Sequence, residues 1–231
     1  MKKLVVFSGA GVSADSGIST FRDEDGLWAR YRIEDVCTPE ALDRNRDMVI
    51  EFYNLRRREL LDKQPNAGHI ALADLEKDFD VRIVTQNIDD LHERAGSSKV
   101  MHIHGELRKL RSSINPNLIY DIEGWEQKGD ERAADGSLLR PFVVFFGEDV
   151  PMFERAAETV AQADIFIVVG TSLAVYPAAS LVRYVRPGTP IYLVDPGNPD
   201  TGAIRGLREH IKENSASGLP MLAKKLRTLE L

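Results

Sequence analysis

Near its start the chain runs through four consecutive apolar residues, Leu4-Val5-Val6-Phe7. The run is too short for a helix and has no polar break, which predicts a strand buried on both faces. Similar short runs recur at Val81-Arg82-Ile83-Val84, Val100-Met101-His102-Ile103, Phe142-Val143-Val144-Phe145-Phe146, Ile165 to Val169 and Ile191 to Val194. Between them apolar residues fall at helical spacing. Val49, Phe52, Leu55, Leu60 and Leu61 predict a helix over 47–63, ended before Pro65. Ile70, Leu72 and Leu75 predict a second over 67–77. Thr38-Pro39-Glu40 reads as a helix start, with Thr at the cap and Pro in the first turn. Further helices are expected over 151–163, 177–185 and 219–229. Strands alternating with helices predict an α/β fold with a doubly wound parallel sheet, and 191–194 is read as its last strand. The stretch 108–140 breaks this rhythm. It is rich in charge, Asn and Gly, and reads as a small inserted module.

Composition narrows the class. A chain of 231 residues that is 43% hydrophobic suits one sizeable α/β domain with a small appended module. The net charge of −6, with no basic run longer than Arg56-Arg57-Arg58, speaks against a nucleic-acid partner. No apolar stretch can span a bilayer, and the residues after Lys2-Lys3 are too few for a signal peptide. One cysteine, Cys37, excludes an internal disulfide and fits a reducing, cytoplasmic location.

The chemistry begins where the first strand ends. Gly9-x-Gly11-x-x-Ala14 fits a dinucleotide-binding turn, in which glycines let the backbone approach a pyrophosphate and a small residue lets the next helix start close to the sheet. An ordinary Gly-rich strand-to-helix turn has the same pattern. A dehydrogenase would need its acidic ribose ligand after a second strand; the acidic cluster Asp23-Glu24-Asp25 comes instead after Ile18 to Arg22, which does not read as a strand. Two more strands end in polar residues, Thr85-Gln86-Asn87-Ile88-Asp89 and Gly170-Thr171-Ser172. Open α/β sheets place ligands at such ends, although Gln-Asn and Thr-Ser there also serve as turn and cap residues. His102-x-His104 could face one side as a metal pair or serve as structural histidines.

Taken together, Gly9 to Arg22, Thr85 to Asp89 and Gly170 to Ser172 resemble the signatures of the sirtuins, NAD-dependent protein-lysine deacylases. Ser19 stands where that pattern usually has Pro. The resemblance implies a Rossmann-like large part (about 1–35, 80–107 and 141–231), a helical insert (about 36–79) and the small module at 108–140, all within one catalytic domain over 1–231. It implies NAD contacts at Gly9, Ala10, Gly11, Ser13, Ala14, Phe21, Arg22, Asp23, Gln86, Asn87, Ile88, Asp89, Gly170, Thr171 and Ser172. Asp195 stands where the family usually has Asn on the adenosine side; a carboxylate accepts hydrogen bonds but cannot donate as an amide does. Ser215 or Ala216 falls near the adenine position. His104 matches the general base and Asn87 the nicotinamide pocket, both catalytic, while Val144, Phe145, Phe146 and Gly147 match the segment that pairs with an acyl-lysine peptide. The implied products are free lysine, nicotinamide and O-acyl-ADP-ribose.

Two features set this chain apart within the resemblance. Tyr53-x-x-Arg56 puts a phenol and a guanidinium on one helix face, where they could clamp a carboxylate or belong to a solvated face. In sirtuins this pair marks the class that removes succinyl, malonyl and glutaryl groups; simple deacetylation is the other reading. The family's four-cysteine zinc site is also missing. By register its positions hold Ser112, Asn115, Arg132 and Asp135, so no zinc is expected. From a different class, a non-catalytic NAD or ADP-ribose binding module remains a competing reading.

Overall fold

The computed structural model describes residues 1–18 and 30–228. Its strands are β1 (Lys3–Ser8), β2 (Asp80–Thr85), β3 (Val100–His102), β4 (Gly105–Ser112), β5 (Ile119–Asp121), β6 (Leu139–Val143), β7 (Ile165–Val169), β8 (Ile191–Val194) and β9 (Leu207–Ile211). Six of them form a parallel sheet in the order β3-β2-β1-β7-β8-β9. The order reverses direction at β1 and β7, so the loops leaving these two strands diverge and leave a crevice at their carboxyl ends.

The unbroken apolar runs are explained by cover on both sides. Along β1, Leu4 and Val6 join one core with Leu72, Leu75, Leu219 and Leu222. Val5 and Phe7 point into the other, with Ala156, Val160, Leu181 and Val182. Alternation along a strand sends neighbours to opposite faces, so a strand covered on both must be apolar at every position. The covering helices include α5 (Ala67–Asp74), α7 (Phe153–Ala161) and α8 (Ser215–Thr228).

Between β1 and β2 lie α1 (Gly11–Ala14), α2 (Ile33–Val36), α3 (Pro39–Arg44) and α4 (Arg46–Leu61) ahead of α5, and α6 (Leu91–Arg94) follows β2. Thr38 caps α3 as the sequence predicts, its hydroxyl accepting from Ala41 N–H. The helix expected over 67–77 divides into α5 and a 3-10 turn at Leu75–Lys77, and 177–185 is a 3-10 segment at Ala178–Tyr184.

Three expectations need correcting. The parallel sheet does not end at β8, because β9 adds an edge strand beyond it. Residues Leu207, Arg208 and Glu209 are exposed or half-buried, and an edge with little cover shows no apolar run. The apolar run from Phe142 does not join the parallel sheet. Its strand, β6, lies earlier and pairs antiparallel with β4 in a separate sheet of order β5-β4-β6. The run is apolar because Val143 and Phe145 pack against Phe52, Tyr53 and Leu107 beside α4. Helix α8 opens at Ser215 rather than Leu219, its first hydroxyl fixed to Gly11 O.

The small sheet has a thin core of its own, Leu110, Ile122, Ala133 and Leu139. Polar ties fasten it to α4. Asn54 donates to Gln127 O and accepts from Gln127 N–H, and Arg46 donates to Gly129 O and Leu139 O. Arg57, only 1% exposed, donates to Leu107 O and Asn54 Oδ1.

Gly170 has φ +59, and a Cβ there would lie 2.3 Å from Val12 N. Gly188, at φ +86, has nothing within 4 Å of such an atom. Gly188→Ala is therefore expected to cost only backbone strain, about 1–2 kcal/mol. Gly170→Ala adds a backbone clash and should cost more, at least about 2–4 kcal/mol. Urea unfolding midpoints compare the two.

Candidate active site

Three loops meet where β1, β2 and β7 end. Gly9 N–H donates to Val169 O (3.0 Å) and Gly11 N–H to Gly170 O (2.8 Å). Gln86 N–H donates to Ser8 O (2.9 Å), and Gln86 Nε2 reaches across to Thr171 Oγ1 (3.0 Å). Gly9, Ala10, Gly11, Gln86, Gly170 and Thr171 are thus held together by backbone and side chain. Ser172 follows, half-buried, and Leu173 after it has φ +57. A leucine in the left-handed region is strained. Its N–H donates to Thr171 Oγ1 (3.2 Å), which fixes that conformation.

Beneath these loops runs a buried chain of polar groups. Asn66 N–H donates to His69 Nδ1 (3.3 Å), so the His69 proton sits on Nε2, facing Ser13 Oγ at 3.4 Å. The Ser13 hydroxyl donates to Asp89 Oδ2 (3.0 Å) and accepts from Asn87 Nδ2 (3.2 Å). Leu91 N–H donates to Asp89 Oδ1 (3.1 Å). The rings of His69 and His92 meet edge to face, and His92 Nε2 lies 3.1 Å from Ser8 Oγ. Burial pushes His69 down to about 4 and His92 well below its ordinary value, so both are neutral. Burial also raises the Asp89 carboxyl, against the hydrogen bonds from Leu91 and Ser13 that favour its charge. Ala14 and Ile88 lie within these loops, Ala14 ending α1 and Ile88 packing toward Phe52 and Leu107.

His102 and His104 are separated by environment, not paired. Each ring donates Nδ1–H to a carbonyl: His102 to Asn87 O (2.8 Å) and His104 to Gln86 O (3.1 Å). His102 Nε2 also meets Glu93 Oε1 at 2.7 Å. Burial opposes charging His102, but the Glu93 carboxylate outweighs it and the ring's pKa rises. Among the described residues His104 has no such partner, and burial lowers its pKa despite the Gln86 bond. With Nδ1–H spent on Gln86, the neutral His104 ring presents an Nε2 lone pair, the form a general base needs.

Asp195 and Ser215 have different partners in the structure. Asp195 Oδ1 accepts from Gly197 N–H (2.8 Å) within its own turn. Ser215, 3% exposed, donates to Gly11 O (3.1 Å), and Ala216 N–H donates to Asp15 Oδ2 (3.1 Å), which ties the start of α8 to the β1 loop. Phe21, Arg22 and Asp23 lie outside the described residues.

Tyr53 and Arg56 sit one turn apart on α4. Tyr53 is fully buried, stacks on Phe145 at 5.8 Å and 17°, and shares a hydrogen bond with Cys37 Sγ (3.1 Å). Burial raises its phenol far above the ordinary value, while the charge of Arg56 acts in the other direction. Arg56 is half-buried, its guanidinium 5.8 Å from the Phe52 ring centre. Phe145 connects this pair to the segment expected to meet a peptide. Val144 N–H donates to His104 O, Phe145 N–H to Glu148 Oε2 and Phe146 N–H to Cys37 O. These three donors are engaged within the protein. Gly147 follows at φ +90. Arg140 lies 4.1 Å over the Phe145 ring and pairs with Glu148.

Cys37, Asn66, His69, His92 and Leu173 were not singled out as site residues from the sequence. Asn66 and His69 carry a readable signal, since Asn followed three residues later by a polar side chain caps a helix. The others gain their place only through tertiary contact. In a histidine NMR titration, His102 is expected to change charge above pH 6.5 and His104 below it. Glu93→Gln should lower the His102 midpoint and leave that of His104 in place.

The Sir2 family profile matches residues 9–177. A protein of Bacteroides thetaiotaomicron named NAD-dependent protein deacylase is 53% identical over 222 residues, 94% of each chain. A second of that name, from Aggregatibacter actinomycetemcomitans, is 56% identical over 198 residues, covering 86% of this chain and 94% of its own. A solved Sir2 homolog–NAD complex superposes with a TM-score of 0.88 at 40% identity, covering 98% of this chain and 90% of that one.

Proposed function

The chain belongs to the Sir2 family, and we propose that this NAD-dependent protein deacylase prefers lysines bearing acidic acyl groups: succinyl, malonyl or glutaryl. The observation that carries the preference is the Tyr53–Arg56 pair. The two residues share a face of α4, the Arg56 charge favours ionisation of the Tyr53 hydroxyl against its burial, and the Tyr53 ring stacks on Phe145 of the loop read as the peptide segment. A guanidinium binds a carboxylate through parallel charge-assisted bonds, and a phenol beside it adds a donor. A distal carboxylate on the acyl chain supplies the matching acceptors.

The donor set of the three loops fits NAD. Ser13, Gln86, Asn87 and Thr171 offer neutral hydroxyls and amides, and Asp89 offers an acceptor for a carboxamide or a ribose hydroxyl. When bound, NAD supplies the electrophilic ribose carbon and the hydroxyls that receive the acyl group. In this reading Gly9, Ala10, Gly11 and Ala14 bring the backbone close to the phosphates. Asn87 and Asp89 orient the nicotinamide end, and the Ser13 hydroxyl fixes both side chains. His104 Nε2 takes a proton from a ribose hydroxyl, and the Gln86 carbonyl keeps the ring in the tautomer that allows it. Phe145 packs with Phe52, Tyr53 and Leu107, which joins the 144–147 loop to α4 beside the proposed acyl site. The partner is an acylated-lysine protein or peptide. Among the described residues no helix is long and apolar enough to cross a membrane.

One observation favours plain deacetylation instead. The Tyr53 hydroxyl is already bonded to Cys37 in a fully buried site. The thiol is a weak partner, so a carboxylate competes with it on favourable terms. Nicotinamide release from NAD with matched succinyl-lysine and acetyl-lysine peptides decides between the two. The succinyl peptide should turn over faster. Arg56→Met should lower kcat/KM on it by about 10–100-fold, the loss of charged hydrogen bonds, and change acetyl turnover by less than about threefold. Equal losses on both peptides would reduce Arg56 to a structural role. His104→Asn should abolish both activities, and the acid limb of kcat/KM should fall below pH 6.5, where His104 gains its proton.

A further inference from the structure

The zinc site that the sirtuin resemblance implies does not fit the side chains at its positions. Ser112, Asn115, Arg132 and Asp135 offer one carboxylate and no thiolate or imidazole, which cannot close a tetrahedral site. Two of the four are committed elsewhere: Asn115 Oδ1 accepts from Asn117 N–H, and Arg132 Nη1 donates to Gly136 O. Among the described residues no group of three or more His, Cys, Asp or Glu side chains is placed to hold a metal ion.

A hydroxyl occupies the middle of this arrangement. Ser112 ends β4 and is 0% exposed. Its O–H donates to Asp135 Oδ2 (2.6 Å), and its oxygen accepts from Ile114 N–H (3.0 Å) and Asn115 N–H (2.8 Å). Ser137 Oγ lies 2.8 Å away, and Ser137 N–H donates to Asp135 Oδ1 (2.9 Å). Four partners therefore surround one oxygen, as four ligands would surround a metal. They come from the turn after β4 and from the turn before β6, the two segments that paired cysteines would otherwise join. Hydrogen bonds from Ser112 and Ser137 hold the Asp135 carboxyl below its ordinary value, so it is an ionised acceptor at neutral pH.

We propose that this Ser112-centred hub replaces the structural metal and makes the enzyme zinc-independent. The hub fixes one end of the β4–β6 pair. The other end is where Gly105 pairs with Val143 and Val144 N–H donates to His104 O. Gly105, at φ +84, admits no side chain there, since a Cβ would lie 2.1 Å from Phe142 O. The pairing shifts register between Gly105 and Leu110, so the hub anchors the distal end and supports, across that irregularity, the strand pair that carries His104 and the 144–147 loop.

The test uses the full-length protein. Its metal content is measured by mass spectrometry, and its melting and nicotinamide release are followed with and without a zinc chelator. The expected result is substoichiometric zinc and no change on chelation. Ser112→Ala removes the acceptor of two buried N–H groups and should lower Tm by about 4–8 °C, with KM for the peptide raised more than KM for NAD. Asp135→Asn keeps an oxygen acceptor without the charge and should give a smaller drop, which reads out the hub if Ser112→Ala does not fold. One zinc per chain whose removal lowers Tm overturns the proposal, and so do wild-type melting and peptide KM in both variants. Absence of turnover in the wild type would count against the deacylase reading alone, since metal content and melting still test the hub.

Discussion

Everything at the site hangs on the close approach of two loops. Gly11 donates to Gly170 across the point where the sheet reverses, and neither residue has room for a side chain. This contact sets the depth of the crevice and the orientation of Thr171. Gln86 then bridges to Thr171, and the polar residues after β2 fall into line below. The glycines of the first loop are therefore required by protein packing before any ligand arrives. A pattern that reads as phosphate binding in the sequence is, in the fold, first a condition for two strands to end side by side.

The second organising constraint is desolvation. His69, His92, Ser13 and Asp89 are buried together, where an unpaired polar atom is costly and an unpaired ion far more so. The two histidines stay neutral; among the described residues His69 has a hydrogen-bond partner on both ring nitrogens, and His92 on Nε2 alone. His102 is set apart from these two by Glu93, whose carboxylate favours the charged ring; the His102 side chain is 7% exposed and that of Glu93 40%.

The parallel sheet was legible because both its faces are covered, which writes itself into the chain as unbroken apolar runs. Strand β9 was not, since an edge strand with exposed Arg208 and half-buried Glu209 carries no such mark. The small sheet was hidden for a related reason: with a core of only Leu110, Ile122, Ala133 and Leu139, its strands are held largely by polar contacts. Of the site, the glycines, Gln86, Asn87, Asp89, His104 and Thr171 stood out because they sit at strand ends. Cys37 and Leu173 did not, because a thiol beside a phenol and a strained backbone arise only from packing. The separation of His102 from His104 was likewise invisible, since Glu93 reaches His102 from a different element. Hydrogen bonds contribute about 0.5–1.5 kcal/mol each, against about 10–16 kcal/mol for a structural zinc in finger peptides. A hydroxyl hub alone cannot match that figure. The polar ties from Arg46, Asn54 and Arg57 to the small sheet make up part of the difference.

Those same ties have a mechanical consequence. Arg57 and Asn54 lie on α4 on either side of Arg56, and they grip Leu107 O and Gln127 from that helix. Tyr53, one turn earlier, leans on Phe145. Helix α4, the small sheet and the 144–148 loop are consequently geared together. A displacement of this body relative to the parallel sheet would leave the spacing between Arg56 and the 144–148 loop unchanged, so the proposed acyl site is held within one packed unit rather than across two.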